Sequence, residues 1–163
     1  MFKRLVLLVA SSVFCSVVSA DVRPFFNADI GYADTDFDNG IYFDVGGGVQ
    51  FNDHIEMEVG YNHYGDVGPY GIDVTSFSYG LNLGGKISEN TRLFAVLGAE
   101  RLELDDTVTV GTVRVNVDDS STEAFYGIGA AFAKGENTDI RLKLLSHSSG
   151  DLITFSAGFA YYF

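Results

Sequence analysis

The sequence predicts an all-β chain, an eight-stranded antiparallel up-and-down transmembrane β-barrel preceded by a cleaved export segment. Three observations lead there. Apolar residues alternate with small or polar ones along most of the chain. Short and longer polar connections take turns between the alternating stretches. The alternation also runs to the last residue, as in ITFSAGFAYYF (153–163). Period two is the mark of strands with two unlike faces, and helical periodicity is hard to find here.

The first residues do not belong to the barrel. MFKR (1–4) carries two positive charges, residues 5–18 are apolar or small, and Val18, Ser19 and Ala20 offer small side chains before a cut. That three-part pattern predicts a signal peptide over 1–20 and one barrel domain over 21–163. The apolar run is shorter than the ~20 residues a spanning helix needs. Phe14 precedes Cys15 where a lipoprotein signal needs a small residue, so lipidation is not expected. Cys15 is the only cysteine, so the mature domain is held without disulfides. Residues 21–163 contain no apolar run of span length. The net charge of −12, more negative still without Lys3 and Arg4, excludes nucleic acid as a partner, because phosphate binding needs a basic face.

Eight alternating stretches follow. In 24–33, Phe26, Ala28, Ile30 and Tyr32 oppose Phe25, Asn27, Asp29 and Gly31. In 41–51, Ile41, Phe43, Val45 and Val49 oppose Tyr42, Asp44, Gly46 and Gly48, and GGG (46–48) reads as a bend or close approach in the wall. In 55–64, Ile55, Met57, Val59 and Tyr61 oppose Glu56, Glu58, Gly60 and Asn62. In 75–86, Phe77, Tyr79, Leu81 and Leu83 oppose Ser76, Ser78, Gly80 and Asn82. Leu93, Ala95, Leu97 and Ala99 oppose Phe94, Val96, Gly98 and Glu100 less cleanly. Ala124, Tyr126, Ile128 and Phe132 then oppose Glu123, Phe125, Gly127 and Gly129, and Ile140, Leu142 and Leu144 oppose Asp139, Arg141 and Lys143. The closing stretch is the eighth. Short turns lie near residues 52–54, 88–90 and 135–138, and longer links near 34–39, 66–73, 104–122 and 147–152. Tight turns at one rim and longer loops at the other give an up-and-down barrel this rhythm.

The polar set decides which face meets lipid. It is Gly, Ser, Asn, Asp and Glu with few Lys or Arg, a poor solvated surface but a good filling for a narrow lumen. Its charges are expected to pair inside, with Asp29, Asp44, Glu56, Glu58 and Glu100 set against Lys86, Arg141 and Lys143. The aromatics Phe26, Tyr32, Phe51, Tyr61, Phe132, Tyr161 and Phe163 fall near strand ends, as interfacial girdles do. The alternative is a soluble periplasmic lipid-binding barrel with the two faces exchanged.

Phe163, with Tyr161 and Phe159 before it, resembles the C-terminal signal read by the outer-membrane barrel assembly machinery. LFAVLGAERLE (93–103) with its acidic Thr/Val-rich sequel, AFYGIGAAFAKGENTDIRLKL (124–144) and DLITFSAGFAYYF (151–163) resemble the small OmpA-like and OmpX-like eight-stranded outer-membrane barrels. The resemblance covers the whole mature chain. It implies an integral protein of the cell outer membrane in contact with lipid and lipopolysaccharide, in an envelope-integrity or surface-interaction role. Larger members carry a periplasmic peptidoglycan-binding domain after the barrel. The sequence stops at Phe163, so that tethering role is not expected.

SHSSGD (146–151) is the one enzyme-like stretch and resembles the His-x-Ser pair of outer-membrane lipid A deacylases. His147 and Ser149 share a strand face as base and nucleophile, with Asp151 the nearby acid. That family follows the Ser with Asn, where Gly150 stands here, and residues 152–163 contain no acid to orient the His. The expectation is therefore a non-enzymatic barrel, with the lipid A hydrolase as alternative. Asp34, Asp36 and Asp38 in DTDFDNG (34–40) are spaced like calcium ligands, but the Gly comes one place late and Val45 stands where a bidentate Glu belongs. No cofactor is implied. An unidentified surface ligand would fall to loop 104–122, which alone is long enough to reach far.

Overall fold

Each alternating stretch becomes one strand of a closed wall. The computed structural model describes residues 22–35, 39–67, 72–110, 113–148 and 152–163. The strands are β1 (Arg23–Thr35), β2 (Asn39–Gln50), β3 (Ile55–Val67), β4 (Ile72–Ser88), β5 (Thr91–Val110), β6 (Val113–Ala133), β7 (Thr138–His147) and β8 (Leu152–Tyr162). Every strand pairs antiparallel with its neighbours in sequence, and β1 closes on β8 from Phe25↔Tyr162 to Thr35↔Leu152. Closure leaves no sheet edge in the wall, so its backbone groups pair without water. The proposed signal segment 1–20 lies outside the described residues.

Period two settles the two faces. In β8, Leu152, Thr154 and Ser156 are buried while Ile153 and Phe155 are exposed. The outer face is apolar and bare: Ile30 is 55 % exposed, Tyr79 60 % and Ile128 65 %. A soluble protein does not leave so continuous an apolar band in water, so the band meets lipid and the exchanged-face alternative falls. Aromatics mark both margins. Phe26, Phe132, Phe159 and Tyr161 stand near the short-turn rim, and Tyr32, Phe43, Tyr61, Phe77 and Phe155 near the other. Small residues on the inner face make room for the filling. The Asp29 carboxylate lies where a side chain at Gly158 would begin, and Gly48 yields the same space to the Phe25 ring.

The short turns are closed by local chemistry. Asn52 Oδ1 accepts from the backbone N–H of His54 and Ile55, at 2.8 and 2.9 Å. Gly135, between β6 and β7, takes a φ of 138°, open to glycine alone.

Strands reach into two of the expected loops. Residues 66–73 include the pairs Asp66↔Asp73 and Val67↔Ile72, and within 104–122 residues 104–110 pair with 113–119 out to Val110↔Val113. Thr107, Val108, Thr109, Val110, Val113, Val115 and Val117 are β-branched, and such residues favour a pleated ladder over an open loop.

Candidate functional site

The inward-facing residues of all eight strands meet in a filled lumen, in two polar clusters. The lower one is built on Glu56, which is fully buried. Arg92 Nη2 lies 2.5 Å from its Oε2 and Arg141 Nη2 lies 2.7 Å from its Oε1. Arg141 also reaches Glu58 Oε2 at 3.2 Å and donates to the Tyr162 hydroxyl at 2.7 Å. Its guanidinium sits 4.7 Å from the Phe25 ring centre, a cation–π distance. Lys143 Nζ lies 2.5 Å from Glu58 Oε1, 2.9 Å from Asp29 Oδ2 and 3.8 Å from Asp44 Oδ2. Asn82 donates to Glu56 and Glu58, and Asn27 to Asp44 and Glu58. The cluster thus joins β1, β2, β3, β4, β5, β7 and β8. Buried charges of this kind persist only when paired and hydrogen-bonded.

The upper cluster centres on Glu100. It accepts from the Tyr64 hydroxyl at 2.6 Å and the Ser76 hydroxyl at 2.7 Å, and it is ion-paired or hydrogen-bonded to His147 Nδ1. Asn62 donates to Ser76, and Tyr42 donates to Asn62 at 2.8 Å. The rings of Tyr64 and Phe125 flank the imidazole, each with centroids 5.9 Å away. Above it Ala33, Tyr42, Tyr64 and Leu152, with Val74 and Leu102, form an apolar cap. A cavity of ≈30 Å³ separates the clusters. That is room for about one water, so the described lumen is not a wide pore.

Asp29, Asp44, Glu56, Glu58, Arg141 and Lys143 therefore come together, and Glu100 joins His147 instead. Lys86 does not take part. It stands at the short-turn rim beside a register shift, 55 % exposed, and pairs with Asp53 at 2.9 Å. A long side chain at a strand end reaches water more cheaply than the interior. Arg92 takes the place that Lys86 was expected to hold. Its signal was legible: Arg92 shares parity with Phe94, Val96 and Glu100, but stands just before the stretch where alternation is visible. Tyr42 shares the parity of Asp44, and the lumen roles of Tyr42, Tyr64 and Tyr162 went unread because parity gives a face and not a hydrogen-bond partner.

His147 faces the lumen and is 2 % exposed. Its acid partner is Glu100 on β5, not a residue of β8. Ser149 and Asp151 lie outside the described residues, as do Asp36 and Asp38. Asp34 is exposed, paired with Asn39 and Ile153 in the sheet. Among the described residues the acidic group with metal-like spacing is Asp29, Asp44 and Glu58, with oxygens within 4.8 Å of one another. The Lys143 ammonium already stands among them. Phe159, Tyr161 and Phe163 all point outward, Tyr161 stacking edge-on with Phe163 at 5.5 Å.

A closed eight-stranded barrel with a bare apolar exterior and a salt-bridged interior defines an integral protein of the outer membrane. The chain belongs to the outer membrane protein beta-barrel domain family, whose model matches residues 5–163. No curated protein matches it. Among solved structures it is similar to Neisserial surface protein A, at 16 % identity and a TM-score of 0.63, covering 87 % of this chain and 97 % of that one. The N-terminal barrel of OprF from Pseudomonas aeruginosa is similar at 16 % identity and a TM-score of 0.61, covering 85 % and 97 %. Ail of Yersinia pestis, in complex with the heparin analogue sucrose octasulfate, is similar at 19 % identity and a TM-score of 0.56, covering 87 % and 97 %. At such identities the likeness is one of fold.

Proposed function

We propose that the protein is a non-enzymatic outer-membrane barrel whose role is surface interaction, carried by the β5–β6 hairpin. The observation behind this is how far the hairpin outreaches its neighbours. Pairing of β4 with β5 ends at Val74↔Leu104, and pairing of β6 with β7 at Phe125↔His147. Beyond them residues 105–110 pair with 113–118 alone. At the usual strand rise the six residues after Leu104 extend it by roughly 20 Å. Such a ribbon offers backbone donors and acceptors along both sides to an extended segment of a partner.

Composition narrows the partner. Asp105, Asp106, Asp118 and Asp119 outnumber Arg114 in this hairpin. Where the Ail neighbour is described with a polyanion, an acidic ribbon favours a basic extended peptide. Export by cleavage of residues 1–20, assembly through the signal Phe159, Tyr161 and Phe163, and a lipid and lipopolysaccharide surround complete this reading.

Catalysis is not part of it. The His147 ring is enclosed on the lumen side of the wall, away from the lipid that a deacylase would cleave. Lipid A mass spectra from cells carrying the wild type and Ser149→Ala are expected to be identical, and a lost acyl chain in the wild type alone would restore the hydrolase.

The hairpin is tested by replacing residues 105–118 with an Asn-Gly turn. The truncated barrel should remain in the outer membrane and keep its boiling-dependent gel shift. It should lose binding of a labelled alternating Lys-Val peptide, measured with the barrel in nanodiscs. Unchanged peptide binding would remove the hairpin from the function.

A further inference from the structure

Above the barrel rim, β6 keeps one edge open. Its pairing with β7 starts at Phe125↔His147, while its ladder with β5 runs without a register shift from Thr91↔Phe132 out to Val110↔Val113. Two bonds fix which backbone groups face that edge. The Ala133 N–H donates to Asn90 O on the β5 side, and Ala124 O accepts from the Ser148 N–H on the β7 side. Backbone groups alternate sides along a strand, so odd-numbered residues of β6 turn toward β5 and even-numbered ones turn away from it. Arg114, Asn116 and Asp118 therefore present N–H and C=O to the open edge. Among the described residues no strand pairs with them there. Such an edge is a template for another strand.

The stretch VRVNVD (113–118) is complementary to its own reverse. Laid antiparallel on a second copy with Asn116 at the centre, Arg114 falls opposite Asp118, Val115 opposite Val117, and Asn116 opposite its twin. The pairs at even positions then exchange both of their N–H···O bonds, and each copy gives what it receives. Opposite charges facing one another across an antiparallel pair stabilise it, and like charges destabilise it. Moving the centre one residue either way puts Arg114 opposite Asn116 or Ser120 and leaves no opposite-charge pair. We propose that residues 113–119 of β6 pair with the same residues of a second copy held in a facing membrane, so that the hairpin joins two cell surfaces.

Strand direction decides where the second copy stands. β6 begins at the hairpin tip and descends to the short-turn rim. In two barrels of one membrane the β6 edges of upright hairpins run the same way. In facing membranes they run opposite ways, as antiparallel pairing requires. The strand from Ala124 up to Asn116 spans roughly 27 Å at about 3.4 Å per residue, so rims joined there stand up to roughly 50 Å apart and the barrels do not collide. The overlap is short, and its strength comes from many hairpins engaging at once between two surfaces. The contact rests on the hairpin as the surface element and not on a peptide partner, for which the β5 edge stays open.

The test uses phosphatidylcholine vesicles carrying the refolded barrel, with EDTA present to remove bridging divalent ions. The salt is about 0.15 M, where charges further apart than ~8 Å are screened. Clustering is read by light scattering. Wild-type vesicles should cluster. Arg114→Asp and Asp118→Arg each set like charges opposite one another, so vesicles of either variant alone should stay dispersed. Arg114→Asp combined with Asp118→Arg restores both pairs with their signs exchanged and should cluster again. Arg114→Asp combined with Asp119→Arg has the same net charge but leaves a carboxylate at position 114 facing Asp118, and should stay dispersed. Dispersed wild-type vesicles, or clustering that follows net charge and not register, would overturn the proposal. These substitutions lie beyond the wall, so an unchanged boiling-dependent gel shift shows that each barrel is folded. Binding of the alternating Lys-Val peptide separates this contact from the peptide role. Arg114→Asp should keep the peptide while losing clustering. Wild-type vesicles that bind the peptide but never cluster would remove the contact between copies and leave the peptide role standing. Clustering without peptide binding would do the reverse.

Discussion

Glu58 and Lys143 reach each other across the lumen from β3 and β7, with Oε1 2.5 Å from Nζ. The two residues are 85 positions apart in the chain. This contact ties the first half of the barrel to the second through its interior, independently of the backbone ladder.

Removing Lys143 should therefore be severe. Lys143→Gln leaves Asp29, Asp44 and Glu58 with too little positive charge in a dry interior, a change of the kind that costs about 3–5 kcal/mol. Urea unfolding in micelles, read by the boiling-dependent gel shift, measures it. Glu58→Gln combined with Lys143→Gln should cost less than the sum of the single changes, because the pair is in contact. Strict additivity would mean that the ion pair carries no coupling.

Arg92 and Lys86 are paired across β4 and β5 but should behave very differently. Arg92→Gln strips a buried guanidinium from Glu56 and should cost several kcal/mol, about as much as Lys143→Gln. Lys86→Gln breaks an exposed contact with Asp53 and should cost no more than about 1 kcal/mol. Equal losses in urea unfolding would mean that the rim contact is not a surface pair.

The facing of β4 can be checked at two adjacent residues. Leu81 lies in the outer apolar band between Met57 and Leu97, and Asn82 is buried in the lumen. Leu81→Arg places a charge near the middle of the bilayer and should cost about 2–4 kcal/mol. Asn82→Arg lands beside Glu56 and Glu58, so its penalty should come from space, not from charge. Asn82→Lys, shorter and less bulky, should then recover much of the lost folding yield in lipid vesicles, whereas Leu81→Lys should not.

His147 should matter to stability and not to lipid chemistry. His147→Ala withdraws a donor from Glu100 and opens a void beside Phe125 and Tyr64. The Oε1 left without its partner should alone cost roughly 1–3 kcal/mol in urea unfolding, while Oε2 keeps Tyr64 and Ser76. His147→Gln, which keeps a donor, should recover part of that loss.

The sequence by itself determined the strand count, the closure of the wall and the side of each strand that meets lipid. Period two is a local property: one residue's parity sets its neighbour's, so Ile30 and Asp29 declare their faces without reference to any other strand. It also placed seven of the lumen's charged residues on the inner face, Asp29, Asp44, Glu56, Glu58, Glu100, Arg141 and Lys143, because few Lys or Arg share parity with so many Asp and Glu. What parity does not carry is height along the barrel axis. That depends on the stagger between strands, which sets Glu56 level with Arg92 and Glu100 level with His147. Hence Lys86 and Arg92, opposite one another in the ladder, part company at the rim, and the acid that orients His147 comes from β5.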